Sequence, residues 1–550
     1  MFRSFISFSL TAIIFLVISC NQHSASTNDD QDGLSSFNAD SMRKHDSMLA
    51  SDSFEGRKPF TRAEEKTINY IRDEFMTTGL EPGNGNSYFQ EVPMVNIQTN
   101  AAPTMQVRSS KGNFDLKGFD DYVIFTDKTD SLISLNNNEI VFAGYGVVAP
   151  EYNWNDYAGL DVKGKVVLVL VNDPGFNSGD SNLFKGKVMT YYGRWTYKFE
   201  EAARQGAKGC LVIHSTNAAS YPFTVVQNSW NTSRLHLDDR GKNVKYSDVI
   251  GWISKPAAIK LLEAAGLDST VLAKADQRSF KPMPLSVTLS TTIKVTATYN
   301  KSHNVVAKIT GTKRPDEVII YSAHWDHFGI GKPDEKGDSI YNGALDNASG
   351  TAGLLELARA FKSMKTKPER TIIFLSVTAE EQGLWGSAYY AQNPVYPADK
   401  TVANINMDGI NPFEKTKDIV VVGQGQSELE DYLKEAAEKQ GRYVSFETHP
   451  EAGYYYRSDH FNFAKVGIPA LYVSTGIDVI GKGKEYGQKM ADDYRNNHYH
   501  RPSDEYNAAT WKFEGGIDDL KLLFLVGKRL AFENKMPQWK EGSEFKKLRK

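Results

Sequence analysis

The sequence predicts an α/β fold in the second half of the chain, preceded by a β-rich module, and three observations support this. From about Thr291 to Phe532, apolar runs typical of buried strands alternate with segments of helical periodicity. Such alternation favours a largely parallel sheet with helices on both faces. From about Asn137 the chain instead shows short β-rich runs, among them EIVFAGYGVV and GKVVLVLVN. With 550 residues, the chain is also too long for one ordinary core, so at least two domains are expected.

Composition excludes several classes of protein. A net charge of -3 with 24% charged residues gives no support for nucleic-acid binding or for a polybasic membrane surface. The two cysteines, Cys20 and Cys210, exclude a disulfide framework and disfavour a thiolate zinc site. Cys210 lies in the apolar run GAKGCLVIHS and is predicted to be a buried, inert thiol. Any metal must therefore be bound by nitrogen and oxygen ligands.

The N-terminus is typical of an export signal. The apolar stretch of residues 5–18 is shorter than the roughly 20 apolar residues of a membrane-spanning helix. The tetrad VISC resembles a bacterial lipobox, which implies a lipidated Cys20, a membrane anchor and a place in the cell envelope, facing the outer membrane or the periplasm. Residues 1–20 are thus predicted to be a lipoprotein signal peptide and residues 21–40 a flexible tether. Ordinary signal cleavage is the alternative, and a mature N-terminus without an acyl group on Cys20, measured by mass spectrometry, would decide for it.

Histidine and acidic residues follow several of the predicted strands directly. They come after the runs VIIYSAHWD, RTIIFLSVTAEE and TVANINMD, and a further aspartate precedes the helical run GTAGLLELARAF. Because ligands in open α/β sheets lie beyond the carboxyl ends of the strands, these side chains are expected to face one cleft. With a histidine of HYHRPSDEY, the candidate residues are His324, Asp326, Asp346, Glu380, Glu381, Asp408 and His500.

The donor types predict a centre for two zinc ions. A carboxylate must bridge the ions, and Asp346 is the candidate because it lies at the start of a helix. His324 and Asp408 are assigned to one ion, and Glu381 and His500 to the other. Glu380 is assigned as the general base and Asp326 as the residue that orients the imidazole of His324. Four other histidines are left out of the metal shell: His498, His327, His460 and His449. Of these, His498 is the alternative to His500 as a ligand.

At these motifs the chain resembles the dizinc aminopeptidase family, which also contains glutamate carboxypeptidase and glutaminyl cyclase. SAHWDH, DNASG, AEEQGLWGS, NMDG and YHRPSDEY match its pattern in order, over roughly Asn304 to Lys528. The resemblance implies a three-layer α/β/α catalytic domain, two zinc ions, exopeptidase activity and a cis bond after Asp346. The β-rich insert resembles a protease-associated domain. YYYRSDHFNFAKVGIPAL resembles the substrate-side loop of the family, so Tyr455, Asp459 and His460 are expected in a specificity pocket or, alternatively, in ordinary packing.

These motifs define the predicted domain organisation. Residues 41–125 are predicted to be the N-terminal part of the catalytic domain, and residues 126–290 the protease-associated insert. Residues 291–535 are predicted to complete the catalytic dizinc domain. Residues 536–550 are predicted to be a basic, solvated tail.

The favoured function is that of an exported aminopeptidase, which removes N-terminal residues of peptides through a zinc-bound hydroxide. A carboxypeptidase of the same fold stays open, because Arg457 offers a cation for a terminal carboxylate. A glutaminyl cyclase would use one zinc ion, and a catalytically silent surface binding protein is the alternative from a different class. The sequence leaves the preferred side chain and the oligomeric state undetermined.

Overall fold

A computed structural model describes residues 31–549. The predicted signal peptide, the lipidation site at Cys20 and the first part of the predicted tether therefore lie outside the described residues. The helices are α1 (Ala39–Leu49), α2 (Arg62–Thr77), α3 (Gly175–Ser178), α4 (Trp195–Arg204), α5 (Thr216–Ala219), α6 (Phe223–Gln227), α7 (Lys255–Ala264), α8 (Thr270–Lys274), α9 (Ser349–Ser363), α10 (Trp385–Gln392), α11 (Leu429–Lys439), α12 (His460–Lys465), α13 (Lys484–Asn497) and α14 (Glu514–Phe532). The strands are β1 (Glu81–Pro82), β2 (Phe89–Ala101), β3 (Thr104–Ser109), β4 (Gly112–Lys117), β5 (Tyr122–Phe125), β6 (Leu132–Phe142), β7 (Val148–Ala149), β8 (Trp154–Asn155), β9 (Val166–Leu170), β10 (Gly209–Ile213), β11 (Ser233–Leu237), β12 (Val249–Ile253), β13 (Met283–Ile309), β14 (Arg314–His324), β15 (Gly329–Ile330), β16 (Ile340–Tyr341), β17 (Arg370–Val377), β18 (Thr401–Asn406), β19 (Asp418–Val421), β20 (Tyr443–Phe446) and β21 (Ala470–Thr475).

The main sheet has four parallel strands at its centre, in the order β17, β14, β18 and β21. On one side, the C-terminal end of β13 pairs antiparallel with β17. On the other side, β19 pairs antiparallel with β21 and parallel with β20. The sheet is therefore mixed, with the parallel part that the apolar runs predict in the middle. Parallel strands place their carboxyl ends at one edge, which is where the candidate residues follow them.

Helices cover both faces of this sheet. Alternate residues of β14 point to opposite faces, as the period of a strand requires. Ile319 and Tyr321 lie in a hydrophobic core with α9 and α14, whereas Ile320 lies in a second core with Tyr390 of α10 and Phe463 of α12. The predicted three-layer α/β/α architecture is confirmed.

Over the described residues, the β-rich module belongs to the same 17-stranded sheet, which reaches it through two long strands, β2 and β13. β13 pairs antiparallel with β2 over the whole length of β2, and the C-terminal end of β13 pairs with β17. The module contains the parallel strands β6, β9, β10 and β12, with β5 antiparallel beside β12. Met105, Leu116 and Tyr122, from β3 to β5, pack in the hydrophobic core of this module. The module therefore begins before the predicted boundary at residues 125/126, because β3 to β5 pack in its core. Its identity as a protease-associated domain stays a prediction.

Both described ends of the chain pack more closely than predicted. Leu34 and Phe37 lie against the main core and α1 begins at Ala39, so the prediction of a flexible tether is wrong for this stretch. The predicted solvated tail is also wrong for residues 536–549. Trp539 is 3% exposed and donates its indole N–H to the main-chain oxygen of Gly467 over 2.9 Å, and Phe545 is 2% exposed. Burial of the two aromatic rings outweighs the solvation that the basic composition favours.

Two further observations concern the described residues alone. Cys210 lies in β10 and is buried, and this burial raises the pKa of its thiol to about 12, as expected for an inert cysteine. Within residues 31–549, each helix is too short or too polar to cross a bilayer.

Candidate metal centre

The main sheet brings the predicted ligands to one edge. His324 is the last residue of β14, Glu380 and Glu381 lie shortly after β17, and Asp408 lies two residues after β18. Since these three strands are parallel neighbours, their carboxyl ends converge. Asp346 enters from the loop before α9, and His500 follows α13. The Asp346–Asn347 peptide bond is cis, as the resemblance implies.

The carboxylate of Asp346 lies between two histidines. Its Oδ1 is 3.3 Å from Nε2 of His324, and its Oδ2 is 3.1 Å from Nε2 of His500. Asp346 is therefore the side chain that offers one oxygen to each side of the centre. This is the arrangement that a carboxylate bridging two cations requires.

On the first side, His324 meets a second carboxylate. Nε2 of His324 lies 3.3 Å from Oδ1 of Asp408, and the ligand atoms of His324, Asp346 and Asp408 all lie within 4.8 Å of one another. Nδ1 of His324 lies 3.1 Å from the main-chain oxygen of Asp326. A proton on Nδ1 would leave the Nε2 lone pair free for a metal.

Asp326 contacts His324 through its main chain and Glu380 through its side chain. Its carboxylate lies 3.9 Å from Nδ1 of His324, farther than its own main-chain oxygen. Oδ1 of Asp326 instead accepts a hydrogen bond of 3.0 Å from the main-chain N–H of Glu380. The predicted role of Asp326 in orienting His324 stays a prediction, and the contact that supports it runs through the main-chain oxygen. The main chain of Asp326 orients the imidazole, and the side chain fixes the start of the Glu380–Glu381 turn.

On the second side, Glu381 contacts two histidines through different oxygens. Its Oε2 lies 3.2 Å from Nε2 of His500, and its Oε1 lies 2.5 Å from Nδ1 of His327. His327, Asp346 and Glu381 form a second group whose ligand atoms lie within 4.8 Å of one another. His327, which the prediction leaves out of the metal shell, nevertheless contacts the carboxylate of Glu381. Because His500 contacts Asp346 and Glu381 together, we assign His500 as the ligand and His327 as the residue that holds the other oxygen of Glu381.

The rival histidines lie elsewhere. Nδ1 of His498 is 3.0 Å from the main-chain oxygen of Ser503, and its Nε2 is 3.8 Å from Asp493. His449 is exposed and lies beside Glu451. Neither joins the ligand groups of the described residues.

Electrostatics of the buried carboxylates favour a bound cation. Burial raises the pKa of Glu380 well above its usual range, His324 opposes this effect, and the charges of Asp408 and Glu381 add to it. Burial and the charge of Asp346 raise the pKa of Glu381 in the same way. Burial would also raise the pKa of Asp346, but hydrogen bonds from His324 and His500 lower it well below its usual range. Glu380 and Glu381 therefore resist ionisation until a cation joins them, whereas Asp346 carries its charge, and the residues present fit a site for metal.

The three predicted substrate residues are buried. Tyr455 is 3% exposed and packs in a hydrophobic cluster with Phe461 and Phe545. The ring centres of His460 and Tyr455 are 4.6 Å apart. Oδ1 of Asp459 accepts a hydrogen bond of 2.5 Å from the hydroxyl of Ser387. This burial favours the packing alternative, and a role of these residues in substrate specificity stays a prediction.

The fold and the centre together define a class of protein, the α/β proteins with a candidate metal centre at the carboxyl ends of parallel strands. Residues 304–525 match Peptidase family M28, so this part of the chain is a Peptidase family M28 domain. The match confirms the resemblance that the ordered motifs carry over roughly Asn304 to Lys528.

Similar proteins carry related descriptions. A probable zinc metalloprotease of Pyricularia oryzae is 40% identical over 110 residues, which are 20% of this chain and 20% of that protein. The Aminopeptidase NAALADL1 of Mus musculus is 38% identical over 112 residues, or 20% of this chain and 13% of that protein. An aminopeptidase structure from Aneurinibacillus sp. strain AM-1 has a TM-score of 0.49 and 20% identity, covering 94% of this chain and 97% of that one. The match to the first relative thus spans about a fifth of the length of that curated protein.

Proposed function

We propose that this chain is an exported metallo-exopeptidase that removes N-terminal residues from peptides with two zinc ions. One observation carries the proposal: the two oxygens of Asp346 face His324 on one side and His500 on the other. A carboxylate with a histidine beside each of its oxygens can bridge two cations. The match of residues 304–525 to a peptidase family supports the choice of peptides as substrates.

The chain supplies separate ligands for each ion. His324 and Asp408 would hold one zinc, Glu381 and His500 the other, and Asp346 both. When bound there, zinc lowers the pKa of a water ligand to about 7 and polarises a carbonyl oxygen. His327 and the main chain of Asp326 hold Glu381 and His324 in position.

Glu380 is the residue that moves the proton. Its Oε2 lies 3.9 Å from Nε2 of His324, whereas the proposed ligands Asp346 and Asp408 lie 3.3 Å from the same nitrogen. Glu380 thus faces the centre from a greater distance than the ligands. Burial and the neighbouring acidic residues raise its pKa, which suits a group that accepts a proton from water and then donates it to the leaving amine. Its main-chain N–H is fixed by Asp326.

A carboxypeptidase is the second candidate, and two arginines favour it. Nε and one terminal nitrogen of Arg457 are buried without a hydrogen-bond partner in the described part of the chain, as is Nε of Arg194 from the β-rich module. Burial and, after it, the charge of Arg457 lower the pKa of Arg194 to about 9. Guanidinium nitrogens without a hydrogen-bond partner suit a carboxylate, such as a peptide C-terminus.

Mass spectrometry of three forms of one peptide distinguishes these functions. The zinc-loaded protein is incubated with the unmodified peptide, its N-acetylated copy and its C-terminally amidated copy. We expect the unmodified and amidated forms to be shortened stepwise from the N-terminus, and the acetylated form to persist. Loss of C-terminal residues from the unmodified and acetylated forms would instead identify a carboxypeptidase. If no form changes, an N-terminal glutamine peptide tests the cyclase function, and binding without turnover would leave the silent binding protein.

A further inference from the structure

The loop that carries Asp346 is held from one side by a buried arginine. Arg57 is 1% exposed, and it donates to the main-chain oxygens of Asn342 over 2.6 Å and Gly343 over 2.8 Å. It also donates to the main-chain oxygens of Trp325 and Leu49 over 2.8 Å each. One guanidinium thus joins the N-terminal segment to the loop after β14 and to the loop before Asp346.

A buried carboxylate holds the other side of the same loop. Oδ1 of Asp504 accepts a hydrogen bond of 3.0 Å from the N–H of Leu345, and its Oδ2 accepts one of 3.1 Å from the N–H of Asp346. The main-chain oxygen of Asp504 accepts a further bond of 3.0 Å from the N–H of Ala344. Asp504 is 1% exposed and lies four residues after His500, so it ties the segment of one metal ligand to the loop of another.

The loop has little freedom to adopt another position. Gly343 has a φ of 56°, and a Cβ added there would lie 2.2 Å from the main-chain oxygen of Asp346. Arg57 takes the oxygens of residues 342 and 343, while Asp504 takes the N–H groups of residues 344 to 346. Burying a full charge is costly, and two main-chain loops could be joined by neutral groups at a lower cost. The placement of opposite charges on either side of one ligand loop therefore points to a role at the centre.

We propose that Arg57 and Asp504 are positioning residues that fix the carboxylate of Asp346 so that its two oxygens face His324 and His500. Neither residue touches the ligand oxygens of Asp346. Asp504 acts through the main chain of the bridging residue, and Arg57 acts through the two residues that lead into the loop. The inference rests on the proposed two-metal function, because the position of the bridge matters only where two cations share it.

The test compares metal affinity in two substituted proteins with that in matched controls. In Asp504→Asn, a neutral amide replaces one acceptor, and in Arg57→Lys, a single ammonium replaces the forked guanidinium. The controls are Asp519→Asn and Arg370→Lys. Asp519 is a buried aspartate paired with Arg442 over 2.6 Å, and Arg370 is a buried arginine that donates to the main-chain oxygen of Leu530. Zinc affinity is measured on the full chain by competition with a chelating dye.

Loss of a residue that supports a metal ligand lowers affinity by about 10 to 100-fold. We expect this loss in Asp504→Asn and Arg57→Lys, and affinities within about twofold of the unsubstituted protein in the two controls. Unchanged affinity in both test variants, or equal losses in the controls, would overturn the inference. If Asp504→Asn fails to fold, Tyr494→Phe removes the hydroxyl that donates to Asp504 over 3.0 Å, and it should weaken zinc binding by several-fold. Unchanged zinc affinity in Tyr494→Phe would overturn the inference in that case.

The same measurements separate this inference from the proposed function. If the unsubstituted protein binds two zinc ions but cleaves no peptide, the proposed function fails, whereas affinity losses confined to the test variants would still support the positioning role. If it binds zinc and cleaves peptides while the test variants bind zinc normally, only the positioning role fails. An unsubstituted protein that binds no zinc would overturn both.

Discussion

Replacing Asp346 with asparagine is expected to remove zinc from the centre while the fold persists. The two oxygens of Asp346 lie 3.3 and 3.1 Å from the imidazole nitrogens of His324 and His500. Asparagine has the same shape but keeps only one oxygen and loses the negative charge. Its amide nitrogen would face one of the two proposed zinc positions, and it has no free lone pair to bind a metal. Affinity should fall by more than about 100-fold, since even a residue that only supports a ligand contributes 10 to 100-fold. Elemental analysis after dialysis measures the zinc per chain.

The control for this prediction is Asp519→Asn. This substitution also neutralises a buried aspartate, but Asp519 lies on α14, pairs with Arg442 and takes no part in the ligand groups. It should lower the free energy of unfolding and leave two zinc ions bound. Full zinc occupancy in Asp346→Asn, with the circular dichroism of the unsubstituted protein, would remove the bridge from the proposed centre.

Much of the centre could be predicted because the relevant signals are local in sequence. His324, Glu380 and Asp408 each follow an apolar run directly, and strand ends that are parallel neighbours must converge. Asp346 could be predicted because it lies just before the helical run that forms α9. The order of these motifs along the chain then identified the family, which the match of residues 304–525 supports.

What the sequence could not show depends on main-chain direction and on distant contacts. SAHWDH contains two histidines, and the direction of the chain after β14 decides which of them faces Glu381. Arg57 donates to main-chain oxygens of the loops that carry the ligands. Because every residue has such an oxygen, no pattern of side chains in the sequence predicts these contacts. Asp504 lies in the quoted motif YHRPSDEY, yet its partners are N–H groups of the Asp346 loop.

The boundaries were missed for a related reason. β13 continues for 27 residues from the module into the main sheet, and an exposed stretch at residues 298–301 separates its two buried parts without ending the strand. At the C-terminus, basic side chains dominate the composition, but the buried area of Trp539 and Phe545 decides where the segment lies.

Replacing Glu380 with glutamine should abolish most turnover and keep zinc bound, which separates proton transfer from metal binding. Glutamine preserves the shape of the side chain and the hydrogen bond from its main-chain N–H to Asp326, but it cannot accept a proton. General acid–base catalysis contributes about 10² to 10⁴-fold, so kcat should fall by that factor with zinc content unchanged.

The neighbouring substitution Glu381→Gln provides the matched comparison for this test. Adjacent side chains of the same type serve different partners here, since Oε2 of Glu381 lies 3.2 Å from His500, whereas Oε2 of Glu380 lies 3.9 Å from His324. Glu381→Gln should therefore lose zinc along with activity, and Glu380→Gln should lose activity alone. Zinc content and turnover measured on both variants give four values, and equal zinc loss in the two would show that Glu380 is a ligand. Normal turnover in Glu380→Gln would instead assign the proton transfer to another group.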